Sequence, residues 1–177
     1  ATEGRQHKTL QWNEALQGYR SGPEREDSFI FKWNMGPLPV DLTISGKDSY
    51  KADIWYWKAH RTDPVGYADD KYHTYGAANS SNSTNLYTRS GKPVYLLRAG
   101  DEGRATYESR TYERYIDQKV TRYAIAEPSG SRGDVRAKGA WKNGYWTIEF
   151  SRKLVTGYPD DVQFDTRFSY TFGLSRY

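Results

Sequence analysis

Between Val135 and Ser151 two alternating runs meet at Asn143-Gly144, and no other stretch of the chain restricts the fold as strongly. Asn-Gly is the preferred pair for a two-residue type I′ hairpin, because both central residues must take positive φ. With the turn at this pair, Trp141 faces Trp146, Gly139 faces Ile148, Ala137 faces Phe150 and Lys138 faces Glu149. One face of the hairpin is then aromatic, burying Trp146, Ile148 and Phe150, and the other is charged.

Further strands follow from the same alternation. Phe29 to Met35 is an aromatic and β-branched run that stops at Gly36-Pro37, and Ala52 to Ala59 is a second. In a regular strand Trp55 and Trp57 share a face with Asp53 and Ala59. Lys119 to Ala126 and Phe168 to Leu174 also alternate, whereas residues 105 to 118 fit either a helix or an irregular Tyr/Arg-rich strand. Hydrophobic residues make up 36% of the 177 and aromatics 16%, so Trp and Tyr must carry much of the core, which argues against a Leu/Ala-rich helical bundle. The expected fold is all-β, an antiparallel sandwich with short helical segments and long loops. Residues 1–27 read as a polar arm, in which Trp12, Leu16 and Tyr19 have the spacing of one short helical face, and residues 28–177 as a single domain. The Gly/Asn/Ser/Thr-rich stretch from Tyr72 to Gly91, residues 76 to 90 above all, reads as a surface loop.

Charge and motif content exclude several functions. The 26 basic and 22 acidic residues leave a net charge of +4, scattered along the chain, which is no footprint of a nucleic-acid binder. No run approaches the roughly 18 apolar residues of a membrane helix, and the composition predicts a soluble protein. Cysteine is absent, which removes disulfides, thiolate metal sites and thioether-linked haem. An opening at Ala1 suits a processed mature protein or a trimmed chain. There is no nucleophile elbow, phosphate loop, dinucleotide fingerprint or zinc-protease motif, so a catalytic site of its own is not expected. Asp69-Asp70 and Asp160-Asp161 are adjacent carboxylate pairs that suggest a calcium site or an acid/base pair. Neighbours in a strand point to opposite faces, however, so solvated loop carboxylates or caps are the preferred reading. His60 and His73 flank a turn and His7 lies in the arm; each reads first as a surface or structural His, although His is a common axial ligand of haem.

Two long blocks carry a family resemblance. Residues 53–72, Asp-Ile-Trp-Tyr-Trp-Lys-Ala-His-Arg-Thr-Asp-Pro-Val-Gly-Tyr-Ala-Asp-Asp-Lys-Tyr, resemble the signature block of the haem-binding domains related to the gamma subunit of ethylbenzene dehydrogenase. Gly133 to Phe164 is similar to that family's second block, and Tyr170-Thr-Phe-Gly173 to its end. The resemblance implies a β-sandwich that holds haem b without a covalent link and passes electrons. Its setting would be a subunit of a molybdenum oxidoreductase, or a domain of a respiratory or multihaem cytochrome system, in the periplasm or outside the cell. The partners implied are redox subunits, with no nucleic acid and no transmembrane segment.

The same resemblance implies Met and Lys as iron ligands, and the residues in closest context are Met35 and Lys138, with His60 and His73 in reserve. A thioether is a soft neutral ligand, and a Lys binds iron only once its amine is deprotonated in a buried site. Beside this stand the plainer readings: Met35 as core packing, and Lys138 as an exposed cross-strand partner of Glu149. Trp55, Trp57 and Tyr67 pack either beside the porphyrin or in the core, and Arg61 pairs either with a haem propionate or with Asp63. The competing functions are a haem-free, carbohydrate-type binding sandwich and a structural subunit of a redox complex that has lost its cofactor.

Overall fold

The computed structural model describes residues 9–43 and 46–176. Alternating sequence becomes strand almost throughout, and three short 3-10 turns are the helical content among the described residues. The early strands are β1 (Thr9–Asn13), β2 (Gly18–Ser21), β3 (Ser28–Asn34), β4 (Tyr50–Lys58), β5 (Asp69–Tyr75), β6 (Ser83–Tyr87) and β7 (Pro93–Gly100). They are followed by β8 (Tyr107–Ser109), β9 (Lys119–Thr121), β10 (Tyr123–Ile125), β11 (Arg136–Lys142), β12 (Tyr145–Ser151) and β13 (Phe172–Arg176).

A six-stranded antiparallel sheet, in the order β13-β3-β4-β5-β7-β6, forms the frame. Its central strand β4 is covered on both sides, and its alternation sorts two cores. Ala52 and Ile54 face one layer with Leu42, Tyr50, Tyr75 and Leu96. Trp55, Trp57 and Ala59 face the other, against Val135, Ala137 and the β11–β12 hairpin. The second layer is thus an aromatic hairpin laid on an aromatic sheet, with Trp57 and Trp146 edge to face at 4.8 Å and Phe31 and Phe150 edge to face at 5.2 Å. The expected all-β antiparallel sandwich is what forms.

The hairpin follows its sequence residue by residue. Asn143 (φ 52°) and Gly144 (φ 83°) make the turn, and the pairs Trp141–Trp146, Gly139–Ile148, Ala137–Phe150 and Lys138–Glu149 all form. Trp146, Ile148 and Phe150 are half-buried rather than buried, because a cleft of about 470 Å³ opens between them and Phe29, Phe31 and Trp57.

Other segments depart from expectation. Trp12 and Tyr19 are cross-strand partners in a β1–β2 hairpin that also pairs with β9, with Leu16 exposed at the tip, so the arm has period two and not a helical face. The polar stretch expected to be loop holds the end of β5 and the strand β6, an edge strand on β7. An edge strand has one unpaired side, so Ser, Thr and Asn are tolerated there. The segment 105–118 contains only the short β8, and Lys119 to Ala126 breaks at Arg122 into strands with different partners. The terminal strand begins at Phe172, not Phe168.

Gly139 sits where the hairpin presses on the sheet, and a Cβ there would lie 2.5 Å from the Trp57 ring and 3.2 Å from Trp146. Gly139→Ala is expected to destabilise the fold by about 1–3 kcal/mol through overpacking, read as a lower midpoint in urea with an unchanged slope.

Candidate functional site

Asp69 and Asp70 are consecutive on β5, point to opposite faces and are both fully buried, so the reading as solvated loop carboxylates is overturned. Their environments differ sharply. Asp69 accepts from Lys58 Nζ (2.6 Å) and lies 3.2 Å from Lys71 Nζ and 2.9 Å from Arg132 Nη2. Burial pushes its carboxyl up, but Lys58, Lys71 and Arg132 outweigh that and hold it below the usual range. Lys58, equally buried, also donates to the Tyr107 hydroxyl at 2.9 Å; burial drives its amine down to about 7 against the pull of Asp69.

Asp70 faces the opposite way, into other carboxylates. One oxygen each of Asp53, Asp70 and Asp161 lies within 4.8 Å of the others, and all three residues are buried. Asp101, just after β7, and Asp134, just before β11, add further carboxylates near enough to Asp70 to act on its charge. Arg152 is the cation that reaches this group among the described residues: its Nη1 is 2.7 Å from Asp53, 3.1 Å from Asp161 and 3.8 Å from Asp70. Burial, and then the neighbouring carboxylates, raise Asp70 well above its ordinary value, Asp101 to about 8 and Asp134 to about 7. Burial raises Asp53 to about 6 against the opposing pull of Arg152. The convergence was invisible in the sequence, since its members come from five separate segments; only the doubled Asp70 and Asp161 left a trace.

Met35 follows β3, with its N–H bonded to the Lys51 carbonyl at 3.0 Å, and lines a cavity of about 700 Å³. Leu38, Pro39, Tyr158, Val162, Phe168 and Tyr170 form other parts of its wall. That volume is within the ~300–1,000 Å³ of cavities that take cofactors. Met35 supplies a soft thioether, and no His or Lys is among the lining residues. Lys138 is elsewhere, on the hairpin, with Nζ donating to the Asp63 carbonyl at 2.8 Å and 3.6 Å from the Asp63 carboxylate, so its ion pair is with Asp63.

The remaining named residues also have partners. Asp63 accepts from Trp57 Nε1 (3.0 Å) and the Gly139 amide, while Arg61 pairs with Glu26 and lies over Tyr107 and Tyr123 rather than reaching Asp63. Trp55 packs in the core under Arg152, and Trp57 lines the hairpin cleft. Tyr67 donates to Glu127 at 3.1 Å and stacks on Arg136. His60 sits in the turn after β4, its backbone N–H on Glu26. His73 lies on β5, where burial, with Lys32, Arg98 and Lys71, lowers its imidazole to about 3.

An aromatic antiparallel sandwich with concave cavities at the ends of its strands and a buried acidic knot is the class this geometry defines. Within that class the chain belongs to the ethylbenzene dehydrogenase family, whose model matches residues 5–177. No curated protein and no solved structure gives a significant match. None of the described helices is long and apolar enough to cross a membrane.

Two outcomes follow from these charges. Lys58→Met leaves Asp69 with Lys71 and Arg132 as its cations and should cost about 3 kcal/mol, at the low end for a broken buried pair, measured by urea unfolding. His73 is neutral in the fold and, with a folded value of about 3, is protonated first in the unfolded chain. Its contribution is therefore complete above the unfolded value of about 6.5 and lost as pH falls toward the folded one. His73→Gln should flatten that part of the acid decline in thermal midpoint.

Proposed function

We propose that this chain is an electron-transfer component, a subunit of a molybdenum oxidoreductase or a domain of a related cytochrome system, holding haem b in the Met35 cavity. The observation that carries the reading is the family match over residues 5–177. Two features of the chain support it. The cavity has the size for a cofactor, and its thioether is a donor suited to haem iron. Bound haem would supply the one-electron redox chemistry. The chain's part is to present Met35 Sδ from a backbone pinned to β4, with the buried Val162 forming an apolar part of the wall. In this reading the protein works in the periplasm or outside the cell, docked to redox subunits, and has no catalytic site of its own.

The hairpin cleft favours a second reading. Trp141, Tyr145, Trp146 and Phe150 line it, with Tyr145 76% exposed, and such a row offers stacking platforms for a flat or sugar-like ligand.

Haemin added to the chain should give a pyridine haemochrome of one haem per chain and a Soret band that shifts on dithionite. Met35→Ala should change the reduced spectrum and lower the midpoint potential. Lys138→Ala should leave the spectrum unchanged, because Nζ is held by Asp63; conversion to high-spin iron would instead assign Lys138 as a ligand. A folded chain that takes up no haem overturns the reading and leaves the cleft as the functional surface.

A further inference from the structure

We propose that Asp53, Asp70 and Asp161, with Asp101 and Asp134 beside them, form a binding site for a hard divalent cation, calcium in the first instance. Three carboxylate oxygens, from Asp53, Asp70 and Asp161, already lie within 4.8 Å of one another. Oxygens bound to one calcium at 2.3–2.6 Å are at most about 5 Å apart, so a single ion can contact all three. Magnesium demands shorter, octahedral contacts and keeps most of its water, which suits a dry, carboxylate-rich pocket less well.

A separate observation points to a ligand. Asp101 is only 5% exposed, yet neither of its carboxylate oxygens accepts a hydrogen bond, and they face Asp70 and Asp160. Both oxygens of Asp134 and one each of Asp53 and Asp70 are likewise buried without a donor. Buried carboxylate oxygens without a partner are costly to ionise, so such a group holds either protons or a cation. Arg152 does not relieve it: its Nη1 is used on Asp53 and Asp161, its Nη2 on the Val162 carbonyl, and its Nε is buried without meeting any of these oxygens. One dication meets this demand with oxygen ligands alone, and six to eight oxygens is its ordinary complement. The donors arrive from β4, β5, the ends of β7 and the turn before β11, and the loop between β12 and β13. A cation would therefore tie that loop to the sheet. Asp161 and Val162 from the loop also form part of the Met35 cavity wall, so binding would set the wall's position whether or not haem occupies it.

The test uses the full chain freed of metal by chelation, at neutral pH and without haem. Calcium should bind with one-to-one stoichiometry by calorimetry and raise the thermal midpoint by several degrees. Terbium should luminesce on tryptophan excitation and be displaced by calcium, because Trp55 lies under the Arg152 guanidinium at 4.9 Å. Asp101→Asn, which keeps the shape and removes the charge, should weaken calcium binding about tenfold or more, with Asp134→Asn as the second variant should the first not fold. The proposal is overturned if a folded, metal-free chain shows no calcium heat and no midpoint shift up to about 10 mM, beyond the weakest extracellular calcium modules. It is equally overturned if the Asn variants bind calcium as the parent does. Haem uptake is read separately, so either reading can fail alone.

Discussion

Arg152 is the cation set among the buried carboxylates on one side of the sheet. Its guanidinium lies over Trp55 and Phe164 and serves Asp53, Asp161 and Asp70 together, while its Nη2 fixes the Val162 carbonyl. Because the Val162 amide in turn donates to Asp53 at 2.9 Å, the loop after β12 is pinned to β4 through one buried cation. Much of what lies downstream depends on that anchor: the wall of the Met35 cavity, the placement of Phe164 against Trp33, and the approach of β13 to β3. In a dry interior a guanidinium with several carboxylates is tolerated only when each donor is used, which the geometry at Arg152 nearly achieves.

β5 shows how a strand buried on both faces can carry charge. Asp69 sits among Lys58, Lys71 and Arg132, and its neighbour Asp70 among carboxylates. The first arrangement is closed, each charge met by an opposite one, and its value is structural: it joins β4, β5 and, through Tyr107, β8. The second is open, with more anion than cation. A fold retains such an imbalance only with protons or a cation shared among the oxygens, which is why the two neighbours read so differently as sites.

The family reading and the geometry bear on different parts of the chain. Family membership spans residues 5–177, and the Met35 cavity is where a thioether lies beside several apolar and aromatic side chains. Lys138, an iron ligand only by the expectation from resemblance, is engaged with Asp63, the residue that also orients Trp57 and the Gly139 amide. Burial depresses the amines of two lysines: Lys32 on β3, and Lys58, inside the first signature block and closed off by Asp69 and Tyr107.

What the sequence determined by itself is local and periodic. Asn143-Gly144 set a turn and therefore a register, and alternation assigned Asp53, Trp55 and Trp57 to one face of β4, because a strand's side chains have period two whatever surrounds them. The edge strand β6 escaped notice because an edge needs little apolar surface, and the β1–β2 hairpin because three aromatic and aliphatic positions happened to fit a helical spacing as well. The acidic knot, the Met35 cavity and the partner of Lys138 were decided only in three dimensions. Each joins residues far apart in sequence, and pattern along a chain carries no information about which buried charge will face which.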